Sequence, residues 1–215
     1  MKPLRKQGII LFTILALIMV ACGGDTAEET VEEAAPEVVE TLDSPAVTTA
    51  STVKTGVGVT SDPCPEVIGG IPTGADPSKG CIYLGLLNDY TGPFGPYGIP
   101  LETGQRGFWL WANQSGGIGD YSVAIVEGYD TQYNPQKHLE GYKAQRDEVA
   151  ALAMSLGTPQ TQFILDDMDA DNMVAAPMSW YSGWSYKSSD RGLVIEFGAA
   201  YCADGMNAVD WAMAN

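Results

Sequence analysis

The chain has 215 residues, 27 of them acidic and 11 basic, for a formal net charge of −16 and a pI near 4.1. This balance argues against nucleic acid as a partner, because phosphate contacts require clusters of Lys and Arg that this sequence does not contain. It suits the solvated surface of an extracellular protein.

Lys2, Arg5 and Lys6 make a positive start, and the run from Ile9 to Val20 is apolar apart from Thr13. That is the layout of a secretory signal. The run falls short of the roughly 20 apolar residues a spanning helix needs, and Cys22-Gly23-Gly24-Asp25 ends it abruptly. Met19-Val20-Ala21-Cys22 resembles the bacterial lipobox, in which a small residue precedes a Cys that is acylated and becomes the first residue of the mature protein. On this reading residues 1–21 are a lipoprotein signal peptide, and Cys22 anchors the protein outside the cell membrane, in a periplasm or on the outer face. The alternative is an ordinary signal peptide cleaved near Ala21, with an incidental Cys. Acyl chains contribute about 0.8 kcal/mol per buried CH₂, so several on one Cys hold a protein at the membrane.

Residues 22–62 are rich in Asp and Glu, carry Lys54 as their single basic residue and contain no aromatic. Such a segment cannot bury enough apolar surface to offset its ordering entropy, so it is expected to be a disordered acidic tether. As a flexible coil it reaches about 35 Å. Residues 63–215 are the right size for one domain. Cys64 and Cys81 can pair in an oxidising compartment and close the Pro/Gly-rich loop between them. Cys202 is then left as a buried thiol or one with a partner elsewhere.

From Cys81 the pattern alternates strand and helix. Ile82 to Leu87 is an apolar strand that feeds the turn-rich Asp89–Gly98. Leu101 to Ala112 has helical spacing and stops at Gly116-Gly117-Ile118-Gly119. Tyr121 to Val126 alternates as a strand. Asn134-Pro135 has the form of an N-cap with Pro at the first helical position and opens a helix through Asp147. Val149 to Met154 is a wholly apolar, interior strand. Thr158-Pro159 repeats the cap, with a helix to about Asp167. Val174 to Met178 and Val194 to Phe197 are further strands, and Met206 to Ala214 a last helix. Such alternation implies a parallel sheet covered on both faces. Ligands of such sheets bind beyond the carboxyl ends of the strands, here at the loops Asp89–Gly98, Ser155–Thr161 and Pro177–Trp184. Thr158 as an N-cap would leave backbone N–H groups facing that crevice, where an anion is favoured.

Enzyme readings find little to build on. The single histidine, His138, lies mid-way along a polar helix and reads as a solvated surface residue, and no GxSxG, Walker or HExxH motif occurs. Asp167, Asp169 and Asp171 have the spacing that opens a calcium loop, but Asn172 and Met178 occupy positions where such a loop needs Gly and Glu. No metal or other cofactor is expected.

Tyr83-Leu-Gly-Leu-Leu-Asn-Asp-Tyr-Thr-Gly-Pro-Phe-Gly-Pro-Tyr-Gly, Ser115-Gly-Gly-Ile, Tyr129-Asp130 with Asn134-Pro135, and Ser155-Leu-Gly-Thr-Pro-Gln-Thr follow one another in order. Together they resemble the first lobe of type I periplasmic solute-binding proteins, the group that includes the leucine/isoleucine/valine-binding proteins of ABC transporters. The resemblance covers residues 81 to about 215. It implies an α/β fold with a Rossmann-like three-layer α/β/α parallel sheet and no enzymatic activity. It also implies that a small solute (a branched-chain amino acid, an amide or a related compound) is captured for ABC permease subunits. Family members close two such lobes about a hinge, so a chain stopping at Asn215 is expected to be an N-terminal lobe and a fragment. A ligand-sensing receptor ectodomain on the same fold, without transport, is the alternative. By the same resemblance Tyr97 is an aromatic wall, and Thr158 with Pro159 and Gln160 is where a hydroxyl and N–H groups take a ligand carboxylate. Met178, Ser179 and Trp180 stand where a carbonyl and a Thr hydroxyl meet an α-ammonium. Trp180 departs from that pattern, and Trp180, Tyr181, Trp184 and Tyr186 suit either a larger, flatter, less polar solute or packing against another lobe.

Overall fold

The computed structural model describes residues 56–186 and 190–215. The expected signal segment, Cys22 and most of the expected tether lie outside these residues.

The stretch that composition assigned to the tether already contains a strand. Strand β1 (Val59–Thr60) pairs antiparallel with β4 (Gly80–Asn88), at Val59 with Ile82 and Thr60 with Cys81. Between them lies a hairpin, β2 (Val67–Ile68) and β3 (Ile71–Pro72). Cys64 and Cys81 form a disulfide with their Cα atoms 4.7 Å apart and a sequence separation of 17. By constraining the unfolded chain, a crosslink over a loop of that size contributes on the order of 3 kcal/mol. Cys202 is free and exposed, so of the two sequence alternatives the buried thiol does not hold.

The remaining strands are β5 (Tyr121–Ile125), β6 (Tyr129–Asp130), β7 (Ala151–Leu156) and β8 (Ala175–Met178). β4 pairs parallel with β5 and β6 along one edge and with β7 along the other, and β7 pairs parallel with β8. The chain thus leaves β4 to one side and returns to the other, which makes the carboxyl ends of β4 and β7 the place where strand order reverses. Successive side chains of β4 enter opposite cores. Leu86 packs with Ile125, Met154, Leu156 and Met178, with Leu101 and Trp109 of helix α1 (Gly95–Gln114) against them. Leu87 packs with Tyr142, Leu152, Ile164, Met168 and Trp184. Tyr142 belongs to α2 (Pro135–Gln145), and Met168 to α4 (Leu165–Asp171), which follows α3 (Thr158–Phe163). Helices therefore cover both faces, and the fold is the expected three-layer α/β/α arrangement. No helix among the described residues is long and apolar enough to cross a membrane.

Several local expectations change. Asn134 does cap α2, its Oδ1 accepting from the amides of Gln136 and Lys137. His138, however, is fully buried rather than solvated. The helix expected from Thr158 to Asp167 is two short ones, broken at Ile164. Val194 to Phe197 is not a strand: it meets β8 at a single bridge, where Ala175 donates to the Leu193 carbonyl and accepts from the Ile195 amide. The next outward-facing residue of β8 is Pro177, which has no N–H to continue the ladder. The last helix, α5, starts earlier than expected, at Tyr201, and runs to Ala214 with none of its residues buried.

Candidate functional site

A cavity of about 770 Å³ opens at the carboxyl ends of β4, β7 and β8. All three loops singled out in the sequence reach it. The first contributes Phe94 and Tyr97, the second Thr158, and the third Met178, Ser179 and Trp180.

The first wall is held by carboxylates. Asp89 is fully buried and accepts from the backbone amides of Gly92 (2.5 Å) and Phe94 (2.7 Å). Asp130, at the end of β6, accepts from the amides of Tyr90, Thr91 and Gln132 and from the Thr91 hydroxyl at 2.6 Å. Burial pushes the Asp130 pKa up, but the hydrogen bonds from Thr91, Tyr90 and Gln132 together outweigh it and hold the carboxyl below its ordinary value. Asn88, also fully buried, donates to the Gly98 carbonyl in the first turn of α1. Phe94 then stacks on Tyr133, centroids 4.1 Å apart and 20° from parallel.

Tyr133 is a wall residue that the sequence did not single out. It and Gln132 adopt left-handed backbone conformations, φ 53° and 51°. These are strained for non-glycine residues and recur at binding sites. Its carbonyl accepts from the Gln160 side chain at 2.6 Å. Burial, then the nearby Tyr201 and Asp89, raise the phenol pKa, so the group stays a neutral donor.

The second wall differs from expectation. Thr158 is the first helical residue rather than the N-cap; Gly157 holds that position, with φ 104°, and has no side chain to cap with. Thr158 is half-buried and lines the cavity. Pro159 is exposed and Gln160 is buried beneath the surface, where it ties down Tyr133; neither lines the cavity. Behind this wall Ser155 joins the His138 Nε2 (2.8 Å) to the Thr161 hydroxyl (2.7 Å).

In the third wall the aromatic cluster splits by role. Trp184 packs into the core and donates its indole N–H to Ser179 Oγ. Trp180 faces the cavity, donates to the Phe197 carbonyl and meets Phe197 and Tyr201 edge-on. Pro100 and Leu101 of α1, Leu156 from within the second loop, and Tyr201 complete the lining; Tyr201 lies 100 residues beyond Leu101, a separation that hid its membership from any local pattern.

Smaller concavities of about 390 and 310 Å³ lie beside the β2–β3 hairpin. Arg106, which lines both, pairs with Glu102 at 2.7 Å and donates to the carbonyls of Ile125 and Val126.

Residues 81–215 match the family model for periplasmic binding proteins. No functionally curated protein matches the chain. Among solved structures, the fold is similar to a fatty acid ABC transporter substrate-binding protein from Thermomonospora curvata, at 26% identity and TM-score 0.59, covering 75% of this chain and 36% of that one. It is also similar to a branched chain amino acid ABC transporter from Thermus thermophilus with bound valine, at 14% identity and TM-score 0.55, covering 63% of this chain and 35% of that one. A possible leucine/isoleucine/valine-binding protein from Rhodopirellula baltica SH 1 gives 17% and 0.55, covering 64% of this chain and 36% of that one. At 14% and 17% the likeness speaks for the fold alone. The chain spans about a third of the length of these relatives.

Proposed function

Because the chain belongs to the periplasmic binding protein family, we propose that it is an extracytoplasmic solute-binding protein that captures a small molecule at the 770 Å³ cavity for delivery to an ABC permease. The observation that carries this reading is the convergence of Tyr97, Thr158 and Met178–Trp180, from three separate loops, on one cavity at the strand-order reversal. The lipobox-like Met19–Cys22 and the acidic stretch after it support lipid attachment at the membrane through Cys22 and a tether. The Cys64–Cys81 bond supports an oxidising compartment. The T. curvata relative is a substrate-binding protein, and we extend that binding, non-enzymatic role to this chain. The relatives divide between fatty acid and branched-chain amino acid, so they leave the solute class to the chemistry of the cavity.

Thermal-shift screening of the whole protein against amino acids, amides, fatty acids and aromatic acids identifies a ligand. With that ligand, Tyr97→Ala and Thr158→Ala are each expected to weaken binding about tenfold in calorimetry. Tyr97 is 65% exposed and Thr158 half-buried, so neither change should unfold the domain. Unchanged affinity in both variants rejects this placement of the site. Permease and ATPase genes beside the coding sequence favour transport; a kinase or cyclase gene there favours a sensor.

A further inference from the structure

Resting on the crevice as the solute site, we propose that the solute is an apolar molecule with one hydrogen-bond-accepting end and no ammonium group, a medium-chain carboxylate being its simplest form. The wall is built from aromatic rings, alkyl groups and hydroxyls, and none of the described residues lining it is charged. Phe94 and Tyr133 form one stacked slab of the lining, and Trp180 meets Tyr201 edge-on in another part of it. Leu101, Leu156 and Met178 add alkyl surface to the same lining. Such a surface gains most from an apolar chain, at about 25 cal/mol per Å² removed from water.

An amino acid brings an ammonium that must leave water, and a buried charge without a counter-charge is costly. The two carboxylates that hold the first wall are committed elsewhere. Asp89 is turned onto the Gly92 and Phe94 amides, and Asp130 onto Tyr90, Thr91 and Gln132. Redirecting either would release the loop that carries Phe94. Ser179 Oγ already accepts from Trp184, and the Trp180 indole is spent on the Phe197 carbonyl. What remains among the described lining residues are uncharged hydroxyls: those of Thr158, Tyr97, Tyr133 and Tyr201, and the Ser179 O–H, which can still donate. Donors of this kind fit a carboxylate, ester or amide oxygen and offer an ammonium no opposite charge.

The test is calorimetry on the whole protein with decanoate below its micellar concentration, decylammonium, decanol and leucine, repeated on Tyr97→Glu. The expected result is one decanoate per chain, bound at least about tenfold more tightly than leucine or decylammonium. Tyr97→Glu should weaken decanoate by about tenfold or more with an unchanged thermal midpoint. Decanol matching decanoate keeps the apolar class and assigns the end group to any hydrogen-bond acceptor. Leucine binding more tightly than decanoate, and weakened by Tyr97→Glu, overturns the solute class while leaving the crevice in place. A probe that binds but is indifferent to Tyr97→Glu and to Thr158→Ala overturns the crevice itself. No binding by either decanoate or decanol overturns the proposal.

Discussion

Lowering the pH from about 7.5 to 4.5 is expected to cost the fold about 3 kcal/mol through His138 alone. Its imidazole is fully buried, Nε2 lies 2.8 Å from Ser155 Oγ, and Nδ1 has no protein partner. Burial pushes the pKa from 6.5 down to about 3. In the unfolded chain the ring takes up its proton near pH 6.5, whereas the folded chain refuses it until about pH 3. Stability from this group is therefore fully present above the unfolded value and is lost as pH falls, about tenfold in the unfolding equilibrium per pH unit, until the folded value is reached. Urea denaturation at a series of pH values measures the slope. His138 is the only histidine, so His138→Gln, which can still bond Ser155, should flatten the profile between about pH 6.5 and 5. A wild-type profile already flat there would show that the ring charges without unfolding.

Gln145→Leu is expected to destabilise the protein by about 3 kcal/mol, read as a lower urea midpoint at constant m. The register between β4 and β7 shifts at Gly85/Leu86, an irregularity that leaves the Leu86 amide outside the regular ladder. Gln145 reaches from the end of α2 to accept from that amide at 2.9 Å and donates to the Glu127 carbonyl at 3.0 Å. Gly85 makes this approach possible: a Cβ there would lie 2.8 Å from the Gln145 Oε1 and 2.6 Å from a Leu152 methyl. A leucine fills the space but leaves a donor and an acceptor unpaired inside. Gln145→Glu restores the acceptor alone and should fall between. A loss below about 1 kcal/mol for the leucine variant would mean that water replaces both bonds.

His138 and Gln145 also show where a sequence reading stops. The composition of Pro135–Gln145 is polar and points to a solvated helix, yet 138, 142 and 145 follow the one-face spacing i, i+4, i+7, and all three are buried. The periodicity was written in polar residues, which a search for apolar stripes passes over. The apolar strands were legible because their side chains report burial directly. Val194–Phe197 misled for the opposite reason: its apolar run reads as a strand, but whether it pairs depends on Pro177 in another segment. At the cavity, the loops were legible from strand order and the turn residues. Tyr133 and Tyr201 were not, because their membership depends on how distant segments meet.

The short β1 pairing and the Cys64–Cys81 bond also determine how the domain bears mechanical load. Tension arriving along the chain ahead of Gly56 enters β1 and, once that two-residue pairing yields, crosses at Cys64 straight to Cys81. The intervening segment with the β2–β3 hairpin stays slack. The pull is delivered to the second residue of β4, the strand with partners along both edges, so a molecule held from its N-terminal side is gripped by the middle of its sheet. Reduction of the bond would move the same force through the hairpin first, lengthening the linkage by the 17-residue span the disulfide now short-circuits.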